Sequence, residues 1–368
     1  MTGKDRKERL ADLITLTEID GVGPARLFQL IGLFGSAEKV LGASVAELTD
    51  LPGIGRSIAS NIKETQERQR AGTVVADIEK KGWKFFLFDE PDYPEPLQNV
   101  SDRPPYLFYF GEYCDGDANG IAIVGSRTAS EEGRLFGESL ASSLAENNVS
   151  VISGMARGID TSAHRGALDS GGRTIAVLGS SLDFIYPPEG RELARKIVGA
   201  GAIMSEFLPG TIPFGPNFPK RNRIISGLSQ GVVVIEAAER SGALSTAGHA
   251  LAQNREVFAV PGSPRSEMSR GTNKLIKSGA KLLTSVDDIF TELPRLKGEV
   301  KVRQVLALDD LTDTEKKIIE SFSSDPVHID NLSRMAAVAV PELMQILLAL
   351  ELKGLVKELS GKRYVLNY

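Results

Sequence analysis

The chain reads as a doubly wound α/β protein with one small helical unit before the sheet and a second small unit after it. Three observations predict this. Short β-branched apolar runs alternate with helix-length segments between residues 82 and 295, which implies parallel strands joined by crossover helices. The first 80 residues lack such runs and carry an apolar-Gly-apolar-Gly turn twice. Residues 311–368 read as three helices and a hairpin. A length of 368 residues suits such a division, since single domains usually span about 100–200 residues.

Residues 1–80 are expected to be all-helical. Leu16-Thr17-Glu18-Ile19-Asp20-Gly21-Val22-Gly23 and Leu48-Thr49-Asp50-Leu51-Pro52-Gly53-Ile54-Gly55 repeat one pattern, and helical stretches follow at 24–33 and 56–69. This is a helix-hairpin-helix (SAM-like) signature. Its glycines permit a tight turn that leaves backbone N–H groups at the next helix start free for a phosphate. The segment holds eleven basic and twelve acidic residues. That balance does not favour DNA, so a purely structural pair of hairpins stays open beside a DNA-contacting one.

From 82 to 295 five runs read as strands. They are Ile121-Ala122-Ile123-Val124, Val149-Ser150-Val151-Ile152, Thr174-Ile175-Ala176-Val177-Leu178, Gly231-Val232-Val233-Val234-Ile235 and Glu256-Val257-Phe258-Ala259-Val260. Helix-length segments such as 131–147 and 161–170 separate them. Small or polar residues follow several strand ends, and that edge of an open α/β sheet is where ligands bind.

Residues 296–310 are a charged linker without a period. In 311–368, helices are expected at 314–322, 329–336 and 341–354, with a hairpin of 355–359 and 363–366 around Ser360-Gly361-Lys362. That is a winged helix, a fold that invites a DNA-binding reading. Its third helix, however, offers one basic and two acidic residues, where a base-reading helix needs Arg, Lys, Asn or Gln with basic neighbours. The segment counts seven basic to eight acidic residues. Protein contact or a structural appendage is the expectation here.

Charge singles out a different place. Between Asn217 and Lys281 ten Lys/Arg face four Asp/Glu, although the whole chain stands at −5. A basic island in an acidic protein suggests a confined polyanion site. The single cysteine, Cys114, excludes a disulfide framework and a Cys-rich zinc site, and fits a reducing compartment. The first nine residues are charged and unlike a signal peptide, and no run approaches about 18 apolar residues. The expectation is a soluble cytoplasmic protein.

The sequence offers no catalytic constellation. It contains no Gly-x-x-x-x-Gly-Lys-[Ser/Thr], so no P-loop. Its one Gly-x-Ser-x-Gly string, Gly227 to Gly231, precedes a strand, whereas a nucleophile elbow follows one. The histidines, His164, His249 and His328, form no metal-ligand pair, and His164 inside a helical segment reads as a packed or capping residue. No metal and no cofactor are expected. What remains suits phosphate. Val124-Gly125-Ser126-Arg127 aims a guanidinium past a strand end. Ser153-Gly154-Met155-Ala156-Arg157-Gly158 and Ser241-Gly242 with Ser245-Thr246 are further strand-to-helix turns with free N–H groups. With Lys220, Arg221 and Arg223 they point to one phosphate site on the sheet edge. Apart from Phe214 and Phe218 no aromatic platform is evident, so limited base stacking and sequence-independent backbone binding are expected.

Five ordered blocks carry a family resemblance. They are Gly125-Ser126-Arg127; Ser153 to Asp160 with Ala163-His164; Ala176-Val177-Leu178-Gly179 with Asp183 and Tyr186-Pro187; Ser205-Glu206 through Phe218-Pro219-Lys220-Arg221-Asn222-Arg223-Ile224-Ile225; and Ser241-Gly242 to Val260-Pro261-Gly262. Gly271-Thr272-Asn273 and Gly279-Ala280 extend them. Over 82–295 the chain resembles the DprA/Smf family of DNA-processing proteins. The resemblance implies an extended Rossmann-like domain that binds single-stranded DNA, dimerises through that domain and loads the RecA recombinase in natural transformation and recombination. It also implies that Arg127 and Lys220 are the main phosphate ligands. Arg221, Asn222 and Arg223 would shape the pocket, and the turn at Ser153-Gly154 would lend backbone donors.

Two other readings use the same residues. The fold also resembles nucleotide phosphoribohydrolases, whose Gly-rich turn supplies a carboxylate. Here the comparable turn, Ser241 to His249, puts His249 in that place, with no orienting partner identifiable. A DNA-free scaffold, acting through the winged helix, is the third reading.

Overall fold

The computed structural model describes residues 3–64, 67–297, 311–322, 326–352, 355–359 and 361–366. They fall into two compact units, divided between 298 and 299. Most of the expected linker, 296–310, lies outside the described residues.

The first unit opens with helices α1 (Gly3–Thr17), α2 (Pro24–Phe34), α3 (Ala37–Gly42), α4 (Val45–Thr49), α5 (Arg56–Glu64) and α6 (Glu67–Lys80). Local chemistry sets their ends. Pro24, which has no N–H to lose, starts α2, and Gly35 closes it in the left-handed region with its N–H donated to Ile31 O. Ser44 and Glu47 form a capping box on α4. Both hairpin turns pivot on a left-handed glycine, Gly21 and Gly53 (φ +89° and +82°). Leu10, Ile14, Leu27, Leu30, Leu48 and Ile62 form the core of these helices. That core runs on into the sheet through Trp83, Tyr106 and Phe108. Thr17 Oγ1 lies 2.9 Å from the Tyr106 hydroxyl, and Arg9 donates to Glu90 at 2.9 Å. Helices and sheet therefore share one apolar interior.

The chain continues through β1 (Lys84–Leu87), α7 (Glu95–Gln98), β2 (Tyr106–Gly111), β3 (Ile121–Val124), α8 (Glu131–Glu146), β4 (Val151–Ser153), α9 (Ile159–Asp169), β5 (Thr174–Val177), α10 (Arg191–Ala200) and β6 (Ala202–Ser205). After these come α11 (Asn217–Leu228), β7 (Gly231–Val234), α12 (Gly242–Ala252), β8 (Glu256–Ala259), α13 (Glu267–Lys277), β9 (Lys281–Leu282) and α14 (Val286–Glu292). The strands form one nine-stranded sheet in the order β1-β2-β6-β5-β4-β3-β7-β8-β9. From β6 to β9 all pairs are parallel, whereas β2 runs antiparallel to both β1 and β6. The sheet is thus mixed, with an antiparallel margin at one edge. β1, β2, β6 and β9 add to the five strands read from sequence.

Strand period 2 gives the sheet two buried faces. Ile121 and Ile123 of β3 join Leu140 and Leu144 of α8 and Ile159 of α9. Their neighbours Ala122 and Val124 join Ile224 and Ile225 of α11 and Ala247 of α12 on the other face. Each buried Ile, Leu or Val contributes roughly 1.5–3 kcal/mol. From β3 the chain builds outward through β4, β5 and β6, then returns to start the opposite half at β7. β3 and β7 are neighbours, and their carboxyl ends mark the switch point.

The second unit holds α15 (Asp313–Glu320), β10 (Val327–His328), α16 (Ile329–Ala336), α17 (Val340–Leu352), β11 (Val356–Leu359) and β12 (Arg363–Leu366), with strand order β10-β12-β11. It is a winged helix with a third, two-residue strand. Ile318, Leu332, Leu343, Leu347 and Tyr364 form its core. α17 leaves Met344 and Leu348 exposed. Among the described residues no single helix is long and apolar enough to cross a membrane.

Candidate functional site

At the switch point a cavity of about 760 Å³ opens between the loops that leave β3 and β7. The β3–α8 loop supplies Ser126, Arg127 and Thr128. The approach to α11 and its first turns supply Pro213, Gly215, Phe218, Arg221 and Asn222. The β7–α12 loop supplies Arg240, Ser241 and Gly242, and Tyr186, Asp160, Pro219 and Met268 are also on the wall. Among the described residues no three His, Cys, Asp or Glu side chains gather where they could hold a metal.

Close backbone packing shapes the floor. Gly158 (φ +74°) presses against the β3 loop, and a Cβ there would lie 2.2 Å from Ser126 O. Only glycine meets both demands. The Ser126 hydroxyl accepts from Thr128 N at 3.1 Å and stands 3.4 Å from Met268 Sδ.

The basic residues divide into two groups. Arg127, Lys220 and Arg240 are exposed, and no ion pair holds them among the described residues. The Arg127 guanidinium lies over the Phe218 ring, 5.0 Å from its centroid. Arg221 and Arg223 are turned inward. Arg221 is 3% exposed and donates to Gly154 O at 2.7 Å and to Val177 O, tying the ends of β4 and β5 to α11. Gly154 leaves room for it, since a Cβ there would lie 2.6 Å from Arg221 Nη2. Burial brings the Arg221 pKa down to about 10, against the opposing Asp160 charge, so it stays cationic at neutral pH. Burial drives the Asp160 carboxyl up, while Arg221 and the N–H groups of Ala156 and Gly154 act against that rise. Arg223 pairs with half-buried Glu206, with Asp102 at 3.8 Å.

Side chains also fix the other walls. Asn222 Nδ2 donates to Gly242 O at 3.2 Å, binding α11 to the start of α12. The Ser241 hydroxyl caps α12 by accepting from Ala243 N at 3.3 Å. His164 is fully buried, with Nδ1 2.7 Å from Thr174 Oγ1, and burial lowers its pKa to about 3. It is neutral and packed. His249 lies on α12 but not on the cavity wall.

Residues 84–294 match the family model described as DNA recombination-mediator protein A. Residues 304–362 match the DprA winged helix domain, and 13–65 a SAM-like helix-hairpin-helix tandem. Protein Smf of Synechocystis sp. is 33% identical over 383 residues, covering 95% of this chain and 96% of its own. The chain belongs to the DprA/Smf family. The X-ray structure of DprA from Streptococcus pneumoniae superposes with a TM-score of 0.66 at 33% identity, over 78% of this chain and 97% of that one. A DprA structure from Helicobacter pylori, described for its unique single-stranded DNA binding mode, gives 0.52 at 28% identity, over 58% and 96%.

In this DprA/Smf chain, six of the ten residues singled out in the sequence line the cavity: Ser126, Arg127, Arg221, Asn222, Ser241 and Gly242. Lys220 stands exposed beside Pro219 of the wall. Ser153, Gly154 and Arg223 are not on it. Ser153 is fully buried and donates to Ile123 O at 2.6 Å. The Gly154 N–H goes to Asp160 Oδ2 at 3.1 Å, so it is no donor for a ligand, a correction to its expected role. The fold also brings two further rings near Phe214 and Phe218. Tyr186 packs against Phe218 at 5.8 Å, and Phe184 is exposed two residues before it. Arg240 escaped notice as a ligand, although it sits beside the Ser241 cap within the counted basic island. Tyr186 stood in a block of the family resemblance but, like Phe184, not as part of the site, because only the fold brings their loop to α11.

Proposed function

We propose that the chain binds single-stranded DNA, without sequence preference, in the switch-point cavity and loads RecA onto it in recombination and transformation. What carries the reading is the set of exposed cations that no ion pair holds among the described residues, Arg127, Lys220 and Arg240, around a cavity where Arg221, Asn222 and Asp160 are bonded internally. Such an arrangement holds a polyanion and reads no bases. The single-strand choice is supported by the Helicobacter pylori relative, whose DNA binding mode is of that kind. Phosphates would meet Arg127, Lys220 and Arg240. Ser126, Ser241 and Gly242 would line the track, and Arg221, Asn222, Arg223, Ser153 and Gly154 would hold its shape. RecA transfer, a homodimer through the Rossmann-like domain and action in the cytoplasm belong to the same reading by family membership. Leu282, exposed on edge strand β9, suits a subunit contact.

The test is fluorescence anisotropy of a labelled oligo-dT without nucleotide or metal, with duplex as competitor. Arg127→Ala and Lys220→Ala are each expected to weaken binding roughly 10- to 100-fold. Affinity should fall with salt at a log-log slope near −2 if about three phosphates are engaged. Binding untouched by both substitutions would remove the cavity from the account.

A phosphoribohydrolase-like activity is the runner-up, and Asp160 is the observation behind it. Asp160 supplies a carboxylate to the wall, yet its Oδ2 accepts from Gly154 N and Ala156 N at 3.1 and 3.3 Å, which suits a strut. Release of free base from nucleoside monophosphates, lost in Asp160→Asn, would favour the enzyme.

A further inference from the structure

The cavity has an apolar lip that phosphate binding leaves unused. Two loops build it, residues 180–186 after β5 and residues 208–216 between β6 and α11. They are tied together: Ser181 N donates to Thr211 O at 3.0 Å, and Gly210 N donates to Asp183 Oδ2 at 2.8 Å. Tyr186, Pro213 and Gly215 face the cavity. Beside them Phe184, Ile212 and Phe214 are 38%, 61% and 60% exposed. The other large exposed hydrophobics described in this unit, Leu33, Leu251 and Leu282, lie apart on α2, α12 and β9. A clustered apolar patch at the rim of a polar cavity marks a binding surface.

We propose that this lip is a shelf for nucleobases, with unpaired bases stacked on Phe184 and Phe214 and Ile212 adding apolar contact. The inference rests on the single-strand reading and says what the strand does once it leaves the phosphate ligands. A ligand spanning a cationic cavity and an apolar rim must alternate anionic linkages with flat apolar faces. A single strand does so, whereas a duplex turns its bases inward and presents phosphate and sugar. Continuity supports the same occupant, because flat faces already run from the lip to the guanidinium through Tyr186, Phe218 and Arg127. The shelf would thus discriminate between strand forms, a task the phosphate ligands cannot perform.

The test compares a labelled oligo-dT with an equally long strand carrying abasic sites, on the full chain. Phe184→Ala and Phe214→Ala should each weaken oligo-dT binding about 5- to 20-fold and leave the abasic strand unchanged. Phe214→Trp should keep wild-type affinity for oligo-dT. Equal losses on both strands would assign the lip to the fold or to phosphate binding, and overturn the proposal. So would alanine variants that bind oligo-dT as wild type does, an outcome leaving the lip to a protein partner. If wild type binds neither strand, the single-strand reading falls and the shelf with it.

Discussion

The switch-point cavity and the winged helix make opposite use of similar expectations. A winged helix is widely associated with DNA, yet α17 exposes Met344 and Leu348 where a groove-reading helix needs donors. The Rossmann-like sheet carries no such association, yet its switch point gathers three exposed cations that no ion pair holds among the described residues. The difference teaches that a fold name does not locate a polyanion. What locates it is which charges remain after the protein has used the others to hold itself together.

Arg221 against Arg127 states that contrast most sharply. Arg221→Ala removes a buried cation and leaves Asp160 and two carbonyls without it, a loss of about 3–5 kcal/mol readable by denaturant unfolding. Arg127→Ala should leave unfolding unchanged and cost DNA affinity instead, so a stability loss comparable to that of Arg221→Ala would break the division into two groups. Arg240→Ala should weaken binding by less, and should flatten the salt slope by about 0.7, one phosphate on a single strand. An unaltered slope would take Arg240 off the track.

Acid should weaken the sheet unit through His164. His164 has its pKa lowered by burial to about 3, while in the unfolded chain it titrates near 6.5. Between these values the unfolded state binds the extra proton, so the sheet unit loses stability as pH falls from 6.5 towards 3. His164→Asn should flatten that part of the profile. The smallest effect belongs to α17. Met344→Glu with Leu348→Glu should shift oligo-dT affinity by no more than about twofold. A larger loss would bring the winged helix into the DNA track and end the contrast.

Much of the fold was legible because its signals are local. Ile121 to Val124 is a β-branched run that forms a strand at those bounds, and the run Gly231 to Ile235 forms one over Gly231–Val234. The sequence hid β6, Ala202 to Ser205, whose single β-branched residue gives little pattern. β1 and β2 were hidden too, and with them the antiparallel margin, since pairing across some twenty intervening residues leaves no trace in a short window. In the site, the charge count found the right stretch but could not sort it. Lys220, Arg221 and Arg223 look alike in sequence. Only the helical turn of α11 decides that Arg221 and Arg223 face inward while Lys220 faces out. Likewise the Gly154 N–H looks free in sequence, and only the fold brings Asp160, six residues on, to take it.

The ties made by α11 have a consequence for how the cavity answers a ligand. Arg221 clamps the ends of β4 and β5, and Asn222 holds the start of α12, so three walls share one brace. Walls braced in this way cannot open singly. The amides of Gly154 and Ala156, both bonded to Asp160, should therefore exchange with deuterium only when the whole brace lets go. DNA would then add little protection there, because the ordering that many binding sites undergo on meeting their ligand was completed when this chain folded.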